Sequence, residues 1–304
     1  MYIFIVNPVS GSGRAKKIYN RIANSKPFSQ VDTHCFFTQY GGHAEIIAKQ
    51  LTDFQEPVTC VIVIAGDGTL HEVINGLNVA KLPVASIPAG SGNDFARGCG
   101  ISGSPVDMFN RIINRIEGKP YWLGYFRTDH HQGRYFVNNI GIGFDAEIAK
   151  TVNQSRYKQK LNKLRLGKIS YIMALLQVLF RFKPMDLEII ADGQQRKLKD
   201  CWMVTITNHP YFGGGMKIIP DAVIQPERFP VLIIHSISKW KVLGLFITVF
   251  SGKHTQFKEV ELFQAEHLEI YPHKPVTYQT DGQTDDCPVC MITKEKQHIK
   301  IMGI

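Results

Sequence analysis

The sequence predicts an α/β protein in two parts: a layered α/β domain over residues 1–122 and a mainly β domain, a sandwich, over 123–290. Residues 291–304 supply a last strand that either part could claim. Three observations carry this. Segments of strand and helix periodicity alternate through the first 120 or so residues, and from about Trp122 the apolar runs are separated by turns instead of regular helices. In addition, three short apolar strands of the first part each end in a turn rich in Gly, Ser, Asn or Asp. Such alternation gives a largely parallel sheet whose ligand crevice lies at the carboxyl ends of its strands.

Taken in order, residues 2–6 read as a strand, 14–24 as a helix, 31–37 as a strand, 41–51 as a helix, 60–65 as a strand, 69–78 as a helix and 84–87 as a strand. Within 105–117, Val106, Phe109, Ile112, Ile113 and Ile116 recur close to the helical period. The second part has strand-like runs at 134–140, 186–190, 201–207, 231–237 and 268–271, with 156–180 as its main helical exception. Gln297 to Met302 reads as a final strand.

With 304 residues, 44% hydrophobic and 20% charged, the chain is that of a folded protein with a substantial core. A formal charge of +9 favours anionic partners: nucleotide phosphates, acidic lipid headgroups or nucleic acid. Nucleic acid is not expected, since no recognised binding motif accompanies the charge. The opening segment reaches Asn7-Pro8 without a basic leader and reads as a first strand, so a cytoplasmic protein is expected, soluble or peripheral at the inner face of the membrane. Six scattered cysteines imply reduced thiols, with Cys287 and Cys290 at the spacing of half a zinc site or a redox pair but lacking a second pair.

Basic residues crowd Arg156 to Lys168, and the apolar stretch Ile169 to Phe180 follows directly. Such a 156–180 segment suits the surface of an anionic membrane; the alternative is a helix packed on the sandwich behind a solvated basic lead-in.

The sharpest site signal is Ile62-Val63-Ile64-Ala65 running into Gly66-Asp67-Gly68-Thr69-Leu70-His71-Glu72. A carboxylate between two glycines packs against little, yet it can approach a phosphate-bound Mg²⁺; its bland alternative is a helix N-cap. Asn7-Pro8-Val9-Ser10-Gly11-Ser12-Gly13 precedes Arg14, Lys16 and Lys17, which suits phosphate, although the spacing is not that of the nucleotide-triphosphatase loop. In Gly90-Ser91-Gly92-Asn93-Asp94, Ser91 and Asn93 can orient phosphate or ribose, and Asp94 can assist the metal or cap a helix. Thr38, before Gly41-Gly42-His43, is a weaker candidate. In the second part, Gly213-Gly214-Gly215 implies close backbone approach or a mobile loop, and Lys217 can meet an anionic substrate. Gln283, after Thr280-Asp281-Gly282, cannot accept a proton as a carboxylate can.

Together with Pro88-Ala89 before Gly90 and Asn138-Asn139-Ile140-Gly141-Ile142-Gly143-Phe144-Asp145, this ordered set resembles the bacterial diacylglycerol-kinase-like lipid kinases. The resemblance implies a nucleotide domain similar to that of the 6-phosphofructokinases, a C-terminal β-sandwich, and ATP with Mg²⁺ meeting a lipid hydroxyl. By that match, Asn7, Pro8, Val9, Ser10 and Gly11 would surround the phosphates. Thr38, Gly66, Asp67, Gly68, Thr69, Leu70, His71, Glu72 and Ser91 would complete the nucleotide site, with Asp67 near the metal. Asn93, Asp94, Asn138, Asn139, Gly213, Gly214, Gly215 and Lys217 fall to the acceptor or interdomain side.

Departures from the pattern matter. Gln283 stands where the family carries its general-base Glu, which leaves Asp281, and less so Asp285, as substitutes for proton handling or acceptor orientation. Pro226 and Glu227 stand where an acidic turn supports a structural Mg²⁺, so that metal is expected to be absent. Ala65 and His71 replace a common Gly and Asn. The expected activity is transfer of the γ-phosphoryl group of ATP to a membrane-lipid hydroxyl, of diacylglycerol or a related alcohol. The alternatives are a catalytically weakened nucleotide-binding regulator and a soluble kinase for NAD or a sugar-like metabolite. A homodimer is compatible with all three.

Overall fold

The structure is a computed structural model of the chain and describes every residue except 52–53, 55, 78–81, 115–116, 130, 156–166 and 288. The chain forms two compact units, Met1–Leu123 with Lys296–Ile304, and Gly124–Glu295.

In the first unit, β1 (Tyr2–Val6), β2 (Thr33–Phe37), β3 (Cys60–Ala65) and β4 (Val84–Pro88) are parallel in the order β2-β1-β3-β4. The end of the last strand of the chain lies beside β4, Ile301 opposite Val84. All six residues of β3 are buried, as expected of a parallel strand covered on both faces. The helices are α1 (Ser10–Ala23), α2 (His43–Gln50), α3 (Asp67–Gly76), α4 (Asp94–Gly98) and α5 (Pro105–Asn114). Phe4, Ile62 and Ile64 meet Ala15 and Ile22 of α1 and Phe109 of α5 in one core. Register decides where the site falls. Val6 pairs with Ile64, and Ala65 with Pro88, so β1, β3 and β4 end at one level and their turns emerge side by side.

Sequence periodicity misses α4, which is too short to show a period. It also starts α3 two residues late, because Asp67 and Gly68 already lie in the helix. Gly11, Ser12 and Gly13 all have positive φ, so regular helix in α1 begins only at Arg14.

The second unit is antiparallel. Its strands are β7 (Asn139–Gly143), β8 (Met185–Ala191), β9 (Gln194–Thr207), β12 (Phe229–His235), β13 (Val260–Ala265), β14 (His267–Pro272), β15 (Val276–Thr280) and β16 (Gln283–Cys287), with the first half of β17 (Cys290–Ile301). They run β16-β15-β7-β9-β8-β14-β17, with β12 also beside β9 and β13 outside β12. β5 (Lys119–Thr128) pairs with β6 (His131–Phe136), and β10 (Tyr211–Phe212) with β11 (Met216–Lys217). One core gathers Phe136, Ile142, Ile189, Val204 and Val231; a second packs α6 (Phe144–Gln154), α7 (Gly167–Arg181) and α8 (Lys239–Thr248) through Phe144, Leu175, Leu179, Trp202 and Leu245.

Two expectations need correction. Among the described residues, the second unit holds two regular helices beyond the predicted one, α6 and α8. In α8, Val242, Gly244, Ile247 and Thr248 blur the helical pattern, and tertiary burial of Val242 and Leu245 decides for helix. The run 134–140 is broken into β6 and β7, because the N–H groups of Val137, Asn138 and Asn139 all donate to the Asp281 carboxylate. Of the basic, apolar segment 156–180, residues 156–166 lie outside the described residues. Among the described residues no helix is long and apolar enough to cross a membrane.

Candidate functional site

Three strand-end turns of the first unit meet at one point. A Cβ on Gly90 would lie 2.6 Å from the Gly66 Cα, and one on Gly11 would lie 2.1 Å from the Ala89 carbonyl oxygen. Only glycine permits this contact, and at Gly11 the φ of +58° demands it as well. Arg14 pins the first turn to the third: its Nε donates to Ala89 O at 3.1 Å and its Nη2 to Gly90 O. Between first and second turns, Asn7 Nδ2 donates to Thr69 Oγ1 at 2.9 Å, while Asn7 Oδ1 accepts the Val9 N–H at 3.3 Å. Gly66, Asp67, Leu70 and Asn93 line a small depression at the junction.

Asp67 does not cap its own helix. Its Oδ2 accepts the N–H of Asp94 and its Oδ1 the N–H of Phe95, each at 3.1 Å, so it holds the start of α4. Asn93 sits in left-handed conformation with Nδ2 donating to Gly90 O at 3.0 Å, and its buried Oδ1 has no hydrogen-bond partner. Asp94 is buried and accepts from Arg97 Nη1 at 3.0 Å, which makes it a holder of the third turn. Ser91 is exposed, Ser10 half-buried, and the Ser10 Oγ lies 3.6 Å from where a Gly66 Cβ would sit.

The remaining nucleotide-site candidates divide by burial. Pro8 and Gly68 are half-buried and Val9 is 77% exposed, so all three keep accessible surface. Leu70 and His71 are buried in α3, Leu70 lining the depression and His71 hydrogen-bonded to Asn75. Glu72 Oε2 accepts the Ala44 N–H at 3.3 Å and secures the N-terminal turn of α2. Thr38 is buried, its N–H donating to Val6 O at 2.9 Å at the end of β2.

In the second unit, Asn138, Asn139 and Asp281 do come together. Asp281 accepts N–H groups from Val137 and Asn138 at 2.7 Å and from Asn139 at 3.1 Å. A carboxylate so engaged is suited to holding a turn more than to taking up a proton. Residues not singled out from the sequence complete the network. Lys294 Nζ donates to Asn208 Oδ1 at 2.6 Å, Asn208 Nδ2 to Val137 O at 2.9 Å, and His209 Nε2 meets Asn138 Oδ1 at 2.9 Å. Burial lowers His209 to about 4 and Lys294 to about 7. The Tyr211 N–H donates to His209 Nδ1, which assigns the proton of the neutral ring to Nε2. No sequence signal flagged Lys294, one of three lysines in β17.

Gln283 and Asp285 are exposed on β16. Gly213, Gly214 and Gly215, all with positive φ, turn the β10–β11 hairpin; Lys217 is exposed at its end. Cys287 and Cys290 are buried thiols, and burial together with the neighbouring Cys287 raises Cys290.

The first-unit turns fit phosphate: close-set glycines, small hydroxyl residues and helix N-termini offer donors without bulk. Among the described residues no three His, Cys, Asp or Glu side chains cluster to hold a metal ion. Mg²⁺ at Asp67 would therefore share its ligands with phosphate oxygens, the usual arrangement in phosphoryl-transfer sites.

Residues 1–119 match the model of the diacylglycerol kinase catalytic domain, and residues 138–300 that of the YegS C-terminal NAD kinase beta sandwich-like domain. A Bacillus subtilis (strain 168) protein named "Putative lipid kinase YtlR" is 33% identical over 288 residues, 93% of each chain. A Mycobacterium tuberculosis (strain ATCC 25618 / H37Rv) protein named diacylglycerol kinase is 28% identical, over 88% of this chain and 83% of that one. A crystal structure titled as a putative diacylglycerol kinase from Bacillus anthracis str. Sterne shares the fold, with a TM-score of 0.76 at 23% identity, covering 99% of this chain and 94% of that chain. Two domain matches in order, and one-third identity across nearly the whole of a relative, place this chain in the bacterial diacylglycerol-kinase-like lipid kinase family, a membership that implies a nucleotide phosphoryl donor.

Proposed function

We propose that this protein is an ATP-dependent lipid kinase that transfers the γ-phosphoryl group to the hydroxyl of a membrane lipid, diacylglycerol or a related alcohol. The observation that carries the reading is the contact of three strand-end turns through Gly11, Gly66 and Gly90. Backbone N–H groups there, with the hydroxyls of Ser10 and Ser91, would hold phosphate oxygens, and Asn7 and Thr69 would keep the first two turns in register. Asp67 would hold Mg²⁺, which supplies charge neutralisation at the phosphates. The acceptor oxygen gains the bond to phosphorus as the bridging bond to the leaving diphosphate breaks, and the hydroxyl proton leaves to a nearby base or water. Relatives named lipid and diacylglycerol kinases support the acceptor class. Work at the inner face of the membrane, as a peripheral protein, belongs to the same reading.

The experiment is transfer from labelled ATP with Mg²⁺ to a total bacterial lipid extract, followed by mass analysis of the product. Absence of transfer above a heat-treated control, with the protein shown to be folded, rejects the reading.

A second reading is a nucleotide-binding regulator with weakened acceptor chemistry. The occupation of Asp281 by three N–H donors favours it, as does an amide at Gln283. ATP binding without transfer to any lipid selects it.

A further inference from the structure

Asn138 is 2% exposed, and its backbone and its side-chain oxygen are engaged within the second unit. Its N–H donates to Asp281 Oδ1 at 2.7 Å, its carbonyl oxygen accepts the Asn208 N–H at 2.8 Å, and its Oδ1 lies 2.9 Å from His209 Nε2. Its Nδ2 donates to no group among the described residues. Most buried polar side-chain atoms find partners, so a donor left open on a side chain this deeply buried points to a group from outside the chain.

What aims that donor is His209. An asparagine amide can turn end for end at little steric cost, because its oxygen and nitrogen are alike in size, so hydrogen bonds choose the direction. The buried His209 ring accepts the Tyr211 N–H at Nδ1, which puts the ring proton on Nε2. Nε2–H needs an acceptor, Asn138 Oδ1 meets it, and Nδ2 is thereby turned away from the ring. With burial holding the histidine at about 4, the ring stays neutral and this polarity persists at neutral pH.

The turn behind the amide is held in the same way. Lys294 Nζ donates to Asn208 Oδ1 at 2.6 Å, which directs Asn208 Nδ2 to Val137 O at 2.9 Å. Gln279 Oε1 accepts the Gly282 N–H at 3.0 Å, and its Nε2 donates to Asn139 Oδ1 at 2.7 Å, so the turn that leads into Gln283 is tied to the two asparagines. A lysine and a histidine buried in this way cost stability that apolar residues would not, and groups kept at such a cost gather at functional sites.

We propose that His209 is a positioning residue that holds the Asn138 amide with Nδ2 presented to a ligand oxygen, that of the lipid hydroxyl receiving the phosphoryl group, while Lys294 and Asn208 secure the turn behind it. An N–H donated to that oxygen occupies one lone pair and leaves the other in a set direction for attack on phosphorus. That the oxygen belongs to the acceptor rests on the kinase reading; the direction of the amide does not.

The test uses the full chain and two readouts. In folded His209→Phe the amide is released, and kcat for transfer to lipid falls by about tenfold with KM for ATP unchanged. His209→Gln, which supplies an N–H near the place of Nε2–H, restores it. On the unaltered protein, isotope-labelled at asparagine, the Asn138 side-chain amide resonance is assigned by its loss in Asn138→Leu. It shifts when dioctanoylglycerol in detergent micelles is added, and not with the micelles alone. Parental kcat in folded His209→Phe, no recovery in His209→Gln, or an Asn138 amide that stays in place whether or not that of Asn139 moves overturns the assignment, and transfer by the unaltered protein then leaves the kinase reading standing. A shifted Asn138 amide without ATP-dependent transfer to any lipid upholds the positioning and defeats the kinase reading instead.

Discussion

Asp67 Oδ2 accepts the backbone N–H of Asp94 at 3.1 Å, so the acid that opens the second strand-end turn fastens the helix that follows the third. With Phe95 N–H on its other oxygen, the carboxylate satisfies two donors at the N-terminus of α4. Support of the site and the proposed hold on a metal would thus be joined in one side chain, which shapes how its variants must be read.

Asp67→Ala leaves two backbone donors without their acceptor and is expected to cost about 2 kcal/mol in urea unfolding. Asp67→Asn keeps one acceptor oxygen and most of that stability, yet phosphoryl transfer should fall by roughly 100-fold or more. Transfer at the parental rate in folded Asp67→Asn would remove Asp67 from the metal.

Gly90→Ala drives a methyl group to within 2.6 Å of the Gly66 Cα, where neither backbone has room to yield. A loss of about 1–3 kcal/mol in stability is expected, with weakened ATP binding by calorimetry. Gly68→Ala is the contrast: nothing lies within 4 Å of its Cβ inside α3, and stability should stay level or rise by about 0.5 kcal/mol. Equal stability of the two variants would contradict the packed contact of the turns.

Gln283→Glu changes an exposed side chain on β16, so unfolding should shift by no more than about 0.5 kcal/mol. If an acceptor-side carboxylate limits turnover, transfer rises by roughly 100-fold, in the range of general base catalysis. No response would assign proton removal to water or another group.

Asp145 binds its proton more tightly in the folded state, at about 7 against 3.8. Between those values the folded protein carries more protons than the unfolded chain, so this group lowers stability as pH rises from about 4 to 7. Asp145→Asn should therefore stabilise the protein at pH 8, on the order of 4 kcal/mol, with the difference vanishing below pH 4. Parallel urea-stability curves for the two proteins across that range would refute the buried carboxyl.

Lys294 has the opposite sign. Its folded value of about 7 lies below the usual 10.5, so between the two the unfolded chain binds the extra proton and stability climbs with pH. The parent should gain stability from pH 7 to 9.5, and Lys294→Met should lose that slope. Identical slopes would show that the amine is not held away from water.

Much of the first unit was legible in the sequence, because its signals are local. Ile62 to Ala65 is a run of buried parallel-strand residues, and the glycines at 11, 66 and 90 mark turns by themselves. The second unit was less legible. Its helix over 239–248 has no clean period, and the 134–140 run hides a break that Asp281 imposes from more than 140 residues away. His71 lies inside a motif that suggests ligand contact, yet its side chain is buried, since the motif specifies backbone shape at its glycines and not the direction of every side chain.

By itself the sequence determined the alternating strands, the turn chemistry and the family, all properties of residue order over short spans. Only the tertiary structure decided which donors the carboxylates of Asp67 and Asp281 hold, and that Lys294 and Asp145 are buried. Those outcomes depend on pairings 27 to 144 residues apart, where the geometry of packed elements sets which polar groups meet and which are left without partners.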